Sequence, residues 1–212
     1  MKLIMCEDNT DTKNWNELNR EQQEYVLNNW KSMPSLYSQL FNEYRIDEQD
    51  NYLNDILYPL VDEYEEQYGL QINLDAISYF LSDDSTWEAE ELFNTVTKED
   101  SNGDQYTITF VGQNSVKAFT DYSYTEDGET YEEYGIPTSE LTFYGVPQNM
   151  VKYIKNLARF ATKFVKDLRA GIQYIYTSEP DRDWVESYLD TVPQDFQFTV
   201  LSDGTIDGKY TG

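Results

Sequence analysis

Carboxylates are the side chains whose number and spacing in this sequence could do chemistry. The chain of 212 residues has 40 Asp and Glu against 15 Lys and Arg, and many carboxylates lie within three residues of another. Such pairs can act as acid and base in glycoside hydrolysis, bind a divalent metal ion, or form ion pairs with a basic partner. Because the pairs are so numerous, none of them identifies a catalytic centre.

Most other kinds of catalytic site are excluded by residue type. The sequence has no histidine, and Cys6 is its one cysteine. Ser–His and Cys–His nucleophile pairs, histidine-ligated zinc and internal disulfides therefore cannot form. Both common glycine-rich phosphate-binding motifs are missing, and the loop around Asp203 and Asp207 lacks the spacing and the closing glutamate of a calcium loop. We expect no enzymatic activity, no cofactor and no metal site.

The acidic residues are concentrated in one segment. Residues 46–140 contain 24 acidic and two basic residues, so this segment carries −22 of the net charge of −25. Alternate residues of a β-strand point to one face, so Glu88 and Glu90 are expected to form one row, and Glu129 and Glu133 another. The carboxylates that we predict to bind a partner are Asp62, Glu63, Glu65, Glu66, Asp83, Asp84, Glu88, Glu90, Glu91, Glu126, Asp127, Glu129, Glu132 and Glu133.

A basic protein surface is the partner that this charge predicts. Duplex DNA presents one negative charge per about 1.7 Å of its axis, so rows of carboxylates could compete with DNA for a basic groove. The same field repels nucleic acid and anionic membranes, and we expect direct binding to neither. Two alternatives stay open, namely an acidic face that is only solvated and an adaptation to high salt.

Basic residues dominate the segment 152–169. Their spacing of 3, 4, 4, 3 and 3 places most of them in a stripe on one face of a helix, opposite an apolar face. The pattern predicts a surface helix whose basic side meets the acidic sheet of the same chain or of a second copy, which allows a homodimer. A helix that binds nucleic acid or a membrane surface is the alternative. The basic residues are Lys152, Lys155, Arg159, Lys163, Lys166 and Arg169.

The periodicity of apolar residues predicts an α+β fold. Helices are expected over residues 14–31, 36–44 and 52–68, the last closed by Gly69 and kinked or split at Pro59. Alternation then predicts an antiparallel meander within 70–145, with hairpin turns at Asn102-Gly103 and Asp127-Gly128. The long basic helix follows Pro147 and is closed by Gly171. A short helix over 181–190 and a hairpin of 196–200 with 205–210 complete the chain.

Length and hydropathy bear on organisation and location. We expect one domain over residues 1–212, with a subdivision into a helical part, 1–69, and a remainder, 70–212, as the alternative. Apolar runs fall far short of the about 20 residues that a membrane span needs. Acidic Glu7 and Asp8 follow the start too closely for a signal-peptide apolar region. A cytoplasmic protein is therefore expected.

Three parts of the sequence resemble a group of acidic proteins from bacteriophage and plasmid genomes, some of them described as antitoxin-like. These parts are ELNREQQ at 17–23 with Trp30-Lys31, YGLQINLD at 68–75, and YTSE at 176–179 with FTVLSDG at 198–204. The resemblance implies a mobile-element origin and brings no site residues with it. In composition the chain is also similar to the DNA-mimic inhibitors that phages use against restriction, CRISPR and other nucleases.

Taken together, these features predict a phage-encoded inhibitor that occupies the basic groove of a host nucleic-acid-binding or defence enzyme. The alternatives are an antitoxin or immunity protein that neutralises a basic toxin, a carboxylate-metal enzyme, and a virion protein. An antitoxin predicts one cognate partner encoded next to it, and a carboxylate-metal enzyme predicts that divalent ions shift thermal stability.

Overall fold

The computed structural model describes residues 11–82 and 88–212, and its fold is α+β as predicted. The chain divides into a terminal unit, Met1–Glu48 with Tyr176–Gly212, and a central unit, Gln49–Ile175. In chain order the elements are β1 (Asp11–Lys13), α1 (Arg20–Asn29), α2 (Pro34–Asn51), α3 (Tyr58–Tyr68), α4 (Leu74–Ser82), α5 (Ala89–Leu92), β2 (Val96–Glu99), β3 (Gln105–Val111), β4 (Lys117–Glu126), β5 (Glu129–Pro137), α6 (Gln148–Thr177), α7 (Arg182–Thr191), β6 (Phe196–Val200) and β7 (Ile206–Tyr210).

The helix predicted over residues 14–31 is divided in the structure. A 3₁₀ turn, Trp15–Glu17, comes first, and the backbone of Leu18 is extended. Asn19 then caps α1, accepting a hydrogen bond from the Gln22 backbone N–H at 2.9 Å, and a second 3₁₀ turn, Trp30–Ser32, follows α1. The single-helix prediction is wrong because Asn19 starts a new helix with its own capping box.

The second predicted helix is longer than expected. It begins at Pro34, and α2 continues to Asn51 rather than ending near Tyr44. A π-helical stretch, Tyr52–Leu57, leads directly into α3. Pro59 is the second residue of α3 and helical backbone precedes it, so the helix is not split at Pro59 and changes to the π form one turn earlier. Residues 46–51 contain no proline or glycine, so the helix continues although most of these residues are polar.

The central sheet is an antiparallel meander in the order β2-β3-β4-β5. Both predicted hairpin turns are confirmed: Gly103 has φ +85°, and Asp127 and Gly128 have φ +52° and +85°, as a two-residue type I′ turn requires. Tyr106, Ile108 and Phe110 alternate inward along β3 and are buried. The meander is shorter than the predicted span of 70–145, because α4 and α5 precede it and a 3₁₀ helix, Leu141–Tyr144, follows it.

The row of Glu88 and Glu90 on a strand is therefore a wrong prediction. Glu88 is the N-cap of α5, and Glu90 lies within that helix. Its capping box, in which the Glu88 N–H donates to Glu91 Oε2 at 3.0 Å, fixes the turn locally. Upstream, Leu74, Ile77 and Leu81 follow helical spacing, which is the pattern that the strand interpretation overlooked.

The long basic helix α6 covers the core of the central unit. Its predicted apolar face is confirmed, because Ile154, Leu157, Ala161, Phe164 and Leu168 are all buried. Gly171 does not end the helix, which runs on to Thr177. A Cβ added at Gly171 would lie 2.2 Å from ring carbons of Tyr52, so this glycine permits a close approach rather than a helix cap.

The terminal unit has its own core. Strands form a sheet in the order β1-β6-β7, and the predicted C-terminal hairpin of β6 and β7 is confirmed. Trp15 is buried against Phe198, with ring centroids 5.8 Å apart, and its Nε1 donates to Asp190 Oδ1 at 2.6 Å. The short helix predicted over 181–190 is α7, capped by Asp181.

Candidate partner-binding surface

Two hairpin turns place carboxylates at one end of the central sheet. In an antiparallel meander the β2–β3 and β4–β5 turns lie at the same end, because β3 and β4 are joined at the other. Glu126 lies directly opposite Glu129 in the strand register. The set of carboxylates at this end, called the acidic end below, is Glu99, Asp100, Asp104, Glu126, Asp127 and Glu129.

Stacked tyrosines on the inner sheet face lead to the acidic end. Tyr106, Tyr122, Tyr124 and Tyr131 follow one another across β3, β4 and β5, with successive ring centroids 4.9, 5.1 and 5.3 Å apart. Their planes lie within 22° of parallel. Tyr106 and Tyr122 are buried and Tyr131 is exposed, so the ladder runs from the core to the surface.

Hydroxyl groups of this ladder hold the carboxylates in place. Tyr106 donates to Asp100 Oδ2 at 3.0 Å, and Tyr122 donates to Asp104 Oδ2 at 3.3 Å. Burial, reinforced by the hydrogen bond to Asp100, raises the pKa of Tyr106. Burial likewise raises the pKa of Tyr122, with Asp104 adding to the effect. Both phenols therefore remain protonated donors at neutral pH and orient the two carboxylates.

The Asp100 carboxylate also shapes its own turn. Its Oδ1 accepts from the backbone N–H groups of Asn102, at 2.8 Å, and of Asp104, at 3.2 Å. On the neighbouring hairpin the exposed Tyr131 hydroxyl donates to Glu129 Oε2 at 3.2 Å. Three tyrosine–carboxylate pairs thus stiffen the acidic end.

The outer face of β4 and β5 bears a second acidic group. A β-bulge gives β5 an extra residue opposite Asp121, and the N–H of Gly135 donates to Asp121 Oδ1 at 2.7 Å. Tyr134, 69% exposed, donates its hydroxyl to Glu132, which raises the pKa of the phenol. Asp121, Glu132 and Tyr134 share the lining of a shallow cavity of about 230 Å³. Glu133 also borders this cavity, but the register pairs it with Tyr122 of the inner face, in the row with Tyr131 and Glu129 that the alternation predicted.

The remaining predicted carboxylates lie elsewhere in the central unit. On α3, Asp62, Glu63, Glu65 and Glu66 are exposed, and Glu65 Oε1 accepts from the Ile72 N–H at 3.2 Å. At α5 the carboxylates of Glu88 and Glu91 are engaged, since Glu88 Oε1 accepts from Gln113 Nε2 at 2.7 Å. Glu90 is exposed. Asp83 and Asp84 lie outside the described residues.

Salt bridges between described residues do not involve the predicted surface. Within residues 11–82 and 88–212 no lysine or arginine forms a salt bridge with any of the predicted carboxylates or with Asp100 and Asp104. On α6, Lys163 pairs with Asp167 of the same helix at 2.8 Å. We expected the basic residues of α6 to meet the acidic sheet. Among the described residues, no salt bridge joins the two.

Comparison with protein-family models, with characterised proteins and with solved structures finds no match for this chain. No group of three or more potential metal ligands is found among the described residues. None of the helices that the structure describes is long and apolar enough to cross a membrane.

Glu99, Asp100, Asp104 and Asp121 are the acidic residues of these two groups that sequence reasoning missed. The signal for the first three was present, because two hairpin turns separated by one intervening turn must lie at the same end of a meander. Asp121 depends on the bulge, whose marker is Gly135 with φ +63°. The predicted partner-binding role of the carboxylates stays a prediction.

Proposed function

We propose that this chain is an acidic inhibitor, encoded by a phage or another mobile element, that occupies the basic groove of a host nucleic-acid-binding protein such as a defence nuclease. The observation that carries the proposal is the acidic end, where tyrosine hydroxyls orient carboxylates that form no salt bridge with a described lysine or arginine. Arginine and lysine side chains that normally hold phosphates would pair with these carboxylates instead.

Orientation before binding favours this use. A flexible carboxylate loses side-chain entropy when a partner fixes it, whereas Asp100 and Asp104 are already held by hydrogen bonds from Tyr106 and Tyr122. The net charge of −25 would also steer a basic partner toward the surface and raise the association rate about tenfold to a thousandfold at low salt.

The pairing of β4 with β5 brings two glutamates together, which favours binding of a cationic partner at the expense of hairpin stability. Glu126 and Glu129 lie directly opposite each other beside the turn, and like charges in that position destabilise a hairpin. A pair of opposite charge would stabilise the same hairpin. Retaining two glutamates there is consistent with a surface used to contact cations of a partner.

Charge reversal at the acidic end tests the proposal. The tagged chain is used to capture proteins from host lysate, and the captured proteins are identified by mass spectrometry. Glu126→Lys with Glu129→Lys should weaken capture of the partner by about tenfold or more, which is about 1.4 kcal/mol of binding free energy. Capture by the wild type should also fall as salt is raised, because exposed ion pairs are screened.

The matched control is Glu186→Lys with Asp207→Lys, which changes the net charge by the same amount on exposed residues of the terminal unit. This variant should capture the partner as the wild type does. Equal loss of capture in both variants would show that binding depends only on net charge. Equal capture by all three proteins would refute the proposed surface. A captured protein that does not bind nucleic acid would favour the antitoxin alternative.

A further inference from the structure

A cavity of about 530 Å³ lies at the end of the central sheet opposite the acidic end. Its walls come from the first residues of β4, from the last residue of β5 with the turn that follows, and from the N-terminal half of α6. The volume is within the range of about 300–1,000 Å³ that is typical of small-molecule sites. The lining residues are Lys117, Ala118, Phe119, Pro137, Thr138, Ser139, Lys155 and Ala158.

Two lysines line this cavity, and no Asp or Glu does. Lys117 comes from β4 and Lys155 from α6. Both are exposed, and neither forms a salt bridge with a residue that the structure describes. Lys152 and Arg159 stand one helical turn before and after Lys155 on the same face of α6. In a chain with 40 acidic residues, this is a local concentration of uncompensated positive charge.

The other lining residues define what kind of anion would fit. Ser139 is exposed and its hydroxyl can donate a hydrogen bond, whereas the Thr138 hydroxyl already donates to the Ala118 carbonyl at 2.7 Å. Phe119, Pro137 and Ala158 supply an apolar wall. A bare inorganic ion would leave this wall in contact with water, so an anion with an apolar body gains more from the cavity.

We infer that the cavity binds a small organic anion. Its carboxylate or phosphate group lies between the ammonium groups of Lys117 and Lys155, and its apolar part lies against Phe119 and Pro137. The site is separate from the acidic end and does not rest on the proposed inhibitor function. Failure of either experiment therefore leaves the other interpretable.

Isothermal titration calorimetry and NMR chemical-shift mapping with three probes test this inference. The probes are inorganic phosphate, phenyl phosphate and octanoate. Phenyl phosphate or octanoate should bind saturably and perturb signals of Lys117, Phe119 and Lys155. Inorganic phosphate should bind at least tenfold more weakly than phenyl phosphate. Tighter binding of octanoate would identify a fatty-acid-like carboxylate as the source of the anion, and tighter binding of phenyl phosphate would identify a phosphate ester.

Substitution of the lysines distinguishes a specific anion-binding site from nonspecific attraction of anions to lysines. Lys117→Gln with Lys155→Gln should lower the affinity for the organic probe at least tenfold. The control Lys166→Gln removes an exposed lysine of the same helix that does not line the cavity, and it should leave the affinity unchanged. Absence of saturable binding by the wild type, or equal affinity in the double variant, would overturn the inference. Circular dichroism confirms that each variant is folded.

Discussion

At the scale of single residues, tyrosine hydroxyls connect the core of the central unit to its charged end. Tyr106 is fully buried and its hydroxyl donates a hydrogen bond to Asp100, and the buried Tyr122 donates in the same way to Asp104. Each phenol contributes apolar area to the core and one charge-assisted hydrogen bond to the surface. The same side chains therefore serve stability and the orientation of the acidic end.

Tyr106→Phe should lower the free energy of unfolding by about 1–2 kcal/mol. The substitution removes the hydroxyl that donates to Asp100 and leaves the ring packed in the core. Urea unfolding followed by circular dichroism measures the change. Tyr131→Phe is the matched control, because its hydroxyl bonds Glu129 at an exposed site and should contribute less. A Tyr106→Phe protein as stable as the wild type would contradict the structural role of this hydrogen bond.

At the scale of elements, local signals predicted most of the fold. The apolar face of α6 and the turns at Asn102-Gly103 and Asp127-Gly128 were predicted from the sequence, because periodicity and positive-φ turn residues act locally. The short helices α4 and α5 were missed because the alternation of the later strands was extended back over them, although Leu74, Ile77 and Leu81 follow helical spacing. The acidity of the candidate surface was visible in the sequence, but its grouping at one sheet end depends on strand pairing, which is not local.

Gly171 shows the same difference between local and tertiary causes. From sequence it predicts a helix end, but in the structure it allows Tyr52 to approach α6. Gly171→Ala should therefore destabilise the chain by about 1–3 kcal/mol through overpacking, despite the gain of about 1 kcal/mol in helix propensity.

A double-mutant cycle measured by thermal or urea unfolding checks the cause. The cost of Gly171→Ala should be smaller when Tyr52→Leu is already present, because the clashing ring is then absent. A stabilising effect of Gly171→Ala in the wild-type background would show that the close approach does not constrain this position.

At the scale of the whole molecule, buried tyrosines set the stability at high pH. Burial raises the pKa of Tyr52 to about 12, and burial also raises the pKa of Tyr106 and Tyr122. In the unfolded chain these phenols ionise near pH 10. Above about pH 10 the unfolded state binds fewer protons than the folded state, so the free energy of unfolding falls as the pH rises further.

Urea unfolding at about pH 9 and about pH 11, with phenolate absorbance recorded in parallel, measures this loss. A fraction of the tyrosines should ionise only as the protein unfolds. Unchanged stability across this interval, with all tyrosines titrating together near pH 10, would contradict their burial.

Within the central unit, side chains of opposite charge lie at the two ends of the sheet. The acidic end and the cavity that contains Lys117 and Lys155 lie at opposite ends of one four-stranded sheet. Such a separation allows a basic partner and a small anion to bind without competing for the same side chains.

Displacement by duplex DNA tests the central claim most directly. The partner captured on the immobilised chain is washed with increasing concentrations of duplex DNA at constant ionic strength, and an acidic polypeptide of equal charge concentration serves as the control. If carboxylates of the acidic end occupy a nucleic-acid groove, DNA should release the partner at far lower concentration than the polypeptide, and the purified chain should block DNA binding by the partner. Simultaneous binding of DNA and this chain to the partner would contradict the account.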